Sequence, residues 1–177
     1  MTRLSASGEI LNDEPTHWLK TALAFRPLFL LAALFSVLAL SLWWLMFTGK
    51  VSINVYGNML WWHLHEMLFG FAVAIITGFL LTAVQTWTQL SSIKYYALLA
   101  LVLLWLAPRV LMLVPDSVPA VYIALIDVIY LPICALFMGY LTIKAKRWRN
   151  VIFMPILLVM AALNALMHAS VLLAKPQ

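Results

Sequence analysis

Five long apolar runs separated by short polar punctuation set the pattern of this chain, at roughly 27–47, 59–84, 96–114, 118–141 and 151–173. Each comes close to the about 20 residues that an α-helix needs to cross the hydrocarbon of a bilayer. The breaks hold Gly49 and Lys50, the stretch from Gln85 to Lys94, Pro115 to Ser117, and Lys144 to Asn150. No Gly/Ser-rich linker, low-complexity tract or clear internal repeat interrupts them. The pattern predicts an all-α fold, an integral membrane helical bundle with about five transmembrane helices. That domain occupies residues 25–177, behind a polar N-terminal tail over 1–24.

Composition removes the soluble alternative. Of the 177 residues, 66% are hydrophobic and 10% charged, against roughly half and a quarter in a soluble domain. A chain this small still has a large surface to cover, so the excess cannot be buried in a core. The tail is not a secretory signal, because it mixes Glu9, Asp13 and Glu14 with Arg3. The apolar run after it is also too long for a signal core and lacks a small-residue cleavage site. Cys134, the single cysteine, lies in an apolar run and reads as a small buried filler.

Eleven Lys and Arg against six Asp and Glu give a net charge of +5. In a soluble protein that excess would point to nucleic acid; here it belongs to loops, and no nucleic-acid partner is expected beside the lipid bilayer itself. The loop "KAKRWRN" carries Lys144, Lys146, Arg147 and Arg149, which places it on the cytoplasmic side. Alternation then puts the N-terminus and Lys94 on that side as well, and the C-terminus in the periplasm. Eight loop or tail cations fall inside and two, Lys50 and Lys175, outside.

With that topology, every ionisable residue well inside a span lies in the outer half of the membrane: His63, His65, Glu66, Arg109, Asp127 and His168. Such groups face the bundle interior and mark functional sites by default. Arg109 and Asp127 sit at similar depth on consecutive spans. They read as a structural polar pair, with anion or propionate binding by Arg109 as the other reading. At 100° per residue, His63, Glu66, Met67 and Gly70 share one face of the second span. Ala74, Thr77 and Gly78 continue it as a smooth strip, open to a close helix neighbour or a flat cofactor. His65 points the other way and needs a partner from a different helix. His168 reaches the depth of His63 from the fifth span.

Neutral imidazole is a common ligand of haem iron, copper and zinc. The candidate metal ligands are therefore His63, His65 and His168, with Met67 as a copper thioether. Glu66 is placed to fix a ring tautomer, and Arg109 to anchor a haem propionate, so the cofactor-binding set is His63, His65, Glu66, His168 and Arg109. No P-loop, dinucleotide fingerprint, nucleophile triad or HExxH sequence is present, and no catalytic group is assigned.

The stretch "WHLHEMLFGFAVAIITGFLLTAVQTWT", Trp62 to Thr88, closely resembles the first signature of the NnrS family. "FRPLFLLAALF", "LWLAPR", "ALIDVIYLPI" and "AKRWRNVIFMPILL" are similar to further family segments, so the resemblance covers about residues 25–170. It departs where the family tends to read PNWTG, here Gln85 to Gln89, and at Pro108, where a glycine is usual. The family consists of bacterial inner-membrane proteins associated with haem and copper and with tolerance of nitric oxide. The resemblance thus implies an inner-membrane metalloprotein, with His63, His65, Glu66 and Gly70 as the family's polar motif and Arg109 and Asp127 at matching positions. The chain resembles the N-terminal half of family members, which implies a homodimer or a membrane partner supplying the rest. The alternatives are a small b-type electron-transfer cytochrome, with quinol rather than nitric oxide as its small ligand, and a metal-free subunit, assembly or transport component.

Overall fold

A computed structural model describes residues 17–90 and 95–174, with side chains described from Pro27 to Leu90 and from Tyr96 to Ala174. Residues 1–16 of the expected polar tail lie outside the described residues. All regular structure among the described residues is helical: α1 (His17–Phe47), α2 (Met59–His65), α3 (Val73–Thr88), α4 (Tyr95–Leu111), α5 (Ala120–Val128), α6 (Tyr130–Lys144) and α7 (Phe153–Leu173). A π-helical segment, Glu66–Ala72, joins α2 to α3, so the three form one continuous rod from Met59 to Thr88. Four helical stretches are long and apolar enough to cross a membrane: Pro27–Phe47, Met59–Thr88, Ala120–Lys144 and Trp148–Leu173. The fifth expected span is shorter, Tyr96–Leu111, because the chain beyond it turns into a 3-10 helix at Pro115–Ser117.

Burial follows the logic of a lipid solvent. The outward faces are apolar, with Leu30, Val37, Leu125 and Leu166 each at least 60% exposed to the surroundings. In water such faces would drive association; in hydrocarbon they cost nothing, while the helices satisfy their own backbone polar groups. This is a membrane protein. Inside, α1 lies along α3, α6 along α7, and α4 along α5. Small residues set the α1–α3 approach. A side-chain carbon at Gly78 would stand 3.1 Å from Phe29 and 3.2 Å from Leu28. The smooth strip seen in the sequence is thus filled by a neighbouring helix at that level.

Two breaks position the polar residues. Pro132, third in α6, has no N–H to give Val128, and the helical rod ends and restarts at Ile129, just after Asp127. At the other break, the carbonyl of Gly70 in the π segment accepts a hydrogen bond from the indole N–H of Trp105, 2.9 Å away. The loop before α2 folds back over the same end of the bundle. There the Tyr56 N–H donates to the Met112 carbonyl at 2.9 Å, and Asn54 donates to Asp116 at 3.1 Å. Asn58 caps α2, accepting from the N–H groups of Leu60 and Trp61.

At the opposite end, α6 closes in a Schellman motif. The Lys146 N–H donates to the Ile143 carbonyl at 3.0 Å and the Arg147 N–H to the Thr142 carbonyl at 2.8 Å. The left-handed position of that motif, φ +54°, is held by Lys146 instead of the usual glycine. A side chain there costs about 1–2 kcal/mol.

Candidate metal centre

Four helical segments converge on one buried polar cluster. The π junction brings His65 and Glu66, α4 brings Arg109, α5 brings Asp127, and α7 brings Asn164 and His168; all six are buried. Nothing in hydrocarbon would satisfy these groups, so they turn to one another, with Glu66 Oε2 and Arg109 Nε and Nη1 left without an aligned hydrogen bond. Arg109 donates to Asp127 Oδ1 in a close ion pair. Its Nε also lies 3.3 Å from Glu66 Oε2, a charge contact without hydrogen-bond alignment. Asn164 Nδ2 donates to Asp127 Oδ2 at 2.8 Å.

The imidazoles complete the arrangement. His65 Nε2 and His168 Nε2 each lie 3.1 Å from the same atom, Asp127 Oδ2. One ring nitrogen of each histidine therefore points at a shared centre, and ligand atoms of His65, Asp127 and His168 all fall within 4.8 Å of one another. The other ring nitrogens have polar partners of their own. His65 Nδ1 is 3.2 Å from Glu66 Oε1, and His168 Nδ1 is 3.3 Å from the Tyr56 hydroxyl. Burial raises the pKa of Tyr56 above that of a free phenol, so it remains a hydroxyl through neutral pH. Trp61 stacks on His65 with centroids 4.8 Å apart, and Phe69 packs beside it at 5.3 Å.

Charge and hydrogen-bond counts agree on what is missing. Two carboxylates, Glu66 and Asp127, share one guanidinium, Arg109, which leaves one negative charge unbalanced when both acids are ionised. His65 is bounded by acceptors on both ring nitrogens, since Nε2 also meets Asn164 Oδ1 at 2.9 Å. A neutral imidazole carries one N–H and cannot serve both sides. A protonated imidazole or a bound cation would serve both sides and balance the charge.

The expected residues divide into two groups. His65, Glu66, Arg109, Asp127 and His168 come together. His63 does not join them: it stacks on Trp43 of α1 at 4.2 Å, half-buried, with Nδ1 lacking a partner. The sequence paired His63 with His168 because they share a depth. The structure corrects that pairing, because α7 packs on the side of the rod that carries His65, with the two ring centroids 5.0 Å apart. Met67 lies on the α1 side with His63, packed in the apolar cluster around Trp62 and Met112. Tyr56 escaped the sequence reading, because it lies in a loop outside any span. Its one signal is the Gly57–Asn58 turn and cap that fold the loop inward.

A model of the family described as "NnrS protein" matches residues 20–177 of the chain. No curated protein and no solved structure matches it. The signature stretch that begins at Trp62 thus supplies two residues of the buried cluster, and the match runs through α7 and His168: this chain belongs to the NnrS family.

Proposed function

We propose that the protein is a bacterial inner-membrane metalloprotein that holds one copper or iron ion between His65, Asp127 and His168 and binds nitric oxide there. The observation that carries this reading is the convergence of both Nε2 atoms on Asp127 Oδ2 while both Nδ1 atoms have hydrogen-bond partners of their own, a carboxylate for His65 and a hydroxyl able to accept for His168. Ligating histidines donate their second N–H in this way, which fixes the tautomer and strengthens the ligand. Two imidazoles and one carboxylate suit copper and non-haem iron, and they leave coordination positions open.

The cofactors implied by the family fit unequally. Donor atoms bound to one ion at about 2.0–2.2 Å stand about 3–4 Å apart, which the 3.1 Å separations already meet. A porphyrin between His65 and His168 does not fit, because the Asp127 carboxylate bridges the two rings. The reading is therefore of a mononuclear centre, with no haem ligated by this pair.

An open-shell ion supplies a coordination position for a small neutral ligand; the protein supplies everything else. Trp61 and Phe69 give the site an apolar wall, and Asp127 and Glu66 offset the charge of the ion. The span surfaces are permeable to a gas that dissolves in hydrocarbon, so nitric oxide reaches the centre without a polar channel. Nitric oxide tolerance, implied by the family resemblance, is the physiological counterpart.

Anaerobic titration of the copper- or iron-loaded protein with nitric oxide, followed by electron paramagnetic resonance, tests the proposal. The metal signal should change with one equivalent of gas, and His168→Ala should abolish both the signal and the change. A bound metal whose spectrum ignores nitric oxide would instead favour electron transfer.

A further inference from the structure

The other end of the bundle carries a second feature that the metal centre leaves unexplained. A cavity of about 490 Å³ opens between the C-terminal end of α3 and the α6–α7 loop, lined by Trp87, Lys146, Arg147, Trp148, Arg149 and Asn150. Three cations and no acid line it among the described residues. Among the described residues none of the three has an ion-pair partner. One of them, Lys146, occupies the left-handed position where glycine would be relaxed. The left-handed residue thus places a cation at the cavity, with no anion paired to it among the described residues.

A second cavity of about 360 Å³ lies along the same two helices, α3 and α7. Its walls, which include Ile76, Phe79, Ile156 and Met160, are wholly apolar. The two cavities lie next to each other, with one ring contact between their walls. Trp87, which lines the basic cavity, stacks on Phe153, which lines the apolar one, with centroids 5.4 Å apart and planes 16° from parallel. Phe79 sits eight residues before Trp87 on α3, about 12 Å deeper along the helix. A basic, tryptophan-framed chamber at the membrane boundary, flanked by an apolar groove running inward, matches one molecular shape. We infer that this face binds one anionic glycerophospholipid, its phosphodiester held by Lys146, Arg147 and Arg149 and an acyl chain laid between α3 and α7. Basic pockets of this kind between membrane helices recognise acidic headgroups, and indole rings sit at the headgroup level.

Native mass spectrometry of the full chain in detergent tests the assignment with three probes: short-chain phosphatidylglycerol, short-chain phosphatidylcholine and glycerol 3-phosphate. Phosphatidylglycerol should bind one molecule per chain, roughly tenfold or more tighter than phosphatidylcholine. Arg147→Ala combined with Arg149→Ala should erase that preference. Lys146→Gly, which relaxes the backbone and so does not threaten folding, should weaken it. Ile156→Trp, which fills the groove, should weaken phosphatidylglycerol binding and leave glycerol 3-phosphate unchanged. Equal binding of the two lipids, or a preference indifferent to the basic substitutions, would overturn the inference. Glycerol 3-phosphate binding as tightly as the lipid would reassign the cavity to a soluble phosphate ester.

Discussion

Gly70 has no room for a side chain. A carbon there would stand 2.6 Å from Glu66 Oε2, 2.8 Å from Phe35 and 2.9 Å from Arg109 Nη1. Gly70→Ala should therefore push the carboxylate and guanidinium apart and destabilise the protein by about 1–3 kcal/mol, read as a lower midpoint in thermal unfolding in detergent. Arg109→Ala should be worse, at about 3–5 kcal/mol, because it strands two buried carboxylates; the same unfolding measurement, with expression yield, checks it. Tyr56→Phe removes the hydrogen-bond partner of His168 Nδ1 with little change of shape. Competition with a chelator should show metal affinity falling about 10–100-fold, with little change in stability. At this scale the sequence was legible for Glu66, Arg109 and Asp127, whose charges have no other use inside a membrane. It was not legible for Tyr56, whose role depends on how a loop folds over the bundle.

The π segment is the element on which the centre is built. It joins α2 to α3 with an irregular backbone, and the indole of Trp105 donates to the carbonyl of Gly70 within it. Trp105→Phe keeps the ring and deletes the donor. It should cost about 0.5–1.5 kcal/mol for the lost hydrogen bond and loosen His65, so metal content should fall at constant expression. A helical wheel assumes 3.6 residues per turn throughout and carries no sign of a π turn. It did place His63 and His65 on opposite sides, since both lie in the regular α2. What it could not supply was which side α7 would choose, because depth along a span is common to every face of it. The break at Ile129 had a visible cause in Pro132, yet its use, presenting Asp127 to two histidines, emerges only when α5 and α7 are packed together.

The molecule as a whole is polar at two ends for different reasons. One end encloses Glu66, Arg109 and Asp127 beneath the surface; the other displays Lys146, Arg147 and Arg149 on it. The number of apolar runs, their order and the clustering of ionisable residues toward one end were all legible as composition and position. The pairing of helices was not, because α1, α6 and α7 are apolar on nearly every side and show no stripe that names a neighbour. The loop charges predict an orientation that labelling can check. With Cys134 buried, a membrane-impermeant maleimide should modify Lys50→Cys in intact cells and Lys144→Cys only after the membrane is opened. The reverse pattern would invert the topology.

Metal analysis of the detergent-purified chain, set beside three single variants, bears most directly on the buried centre. Protein from metal-replete cells should carry one equivalent of copper or iron, retained in His63→Ala and lost in both His65→Ala and His168→Ala. A folded protein without metal, or one whose metal leaves with His63 and stays without His168, would contradict the account.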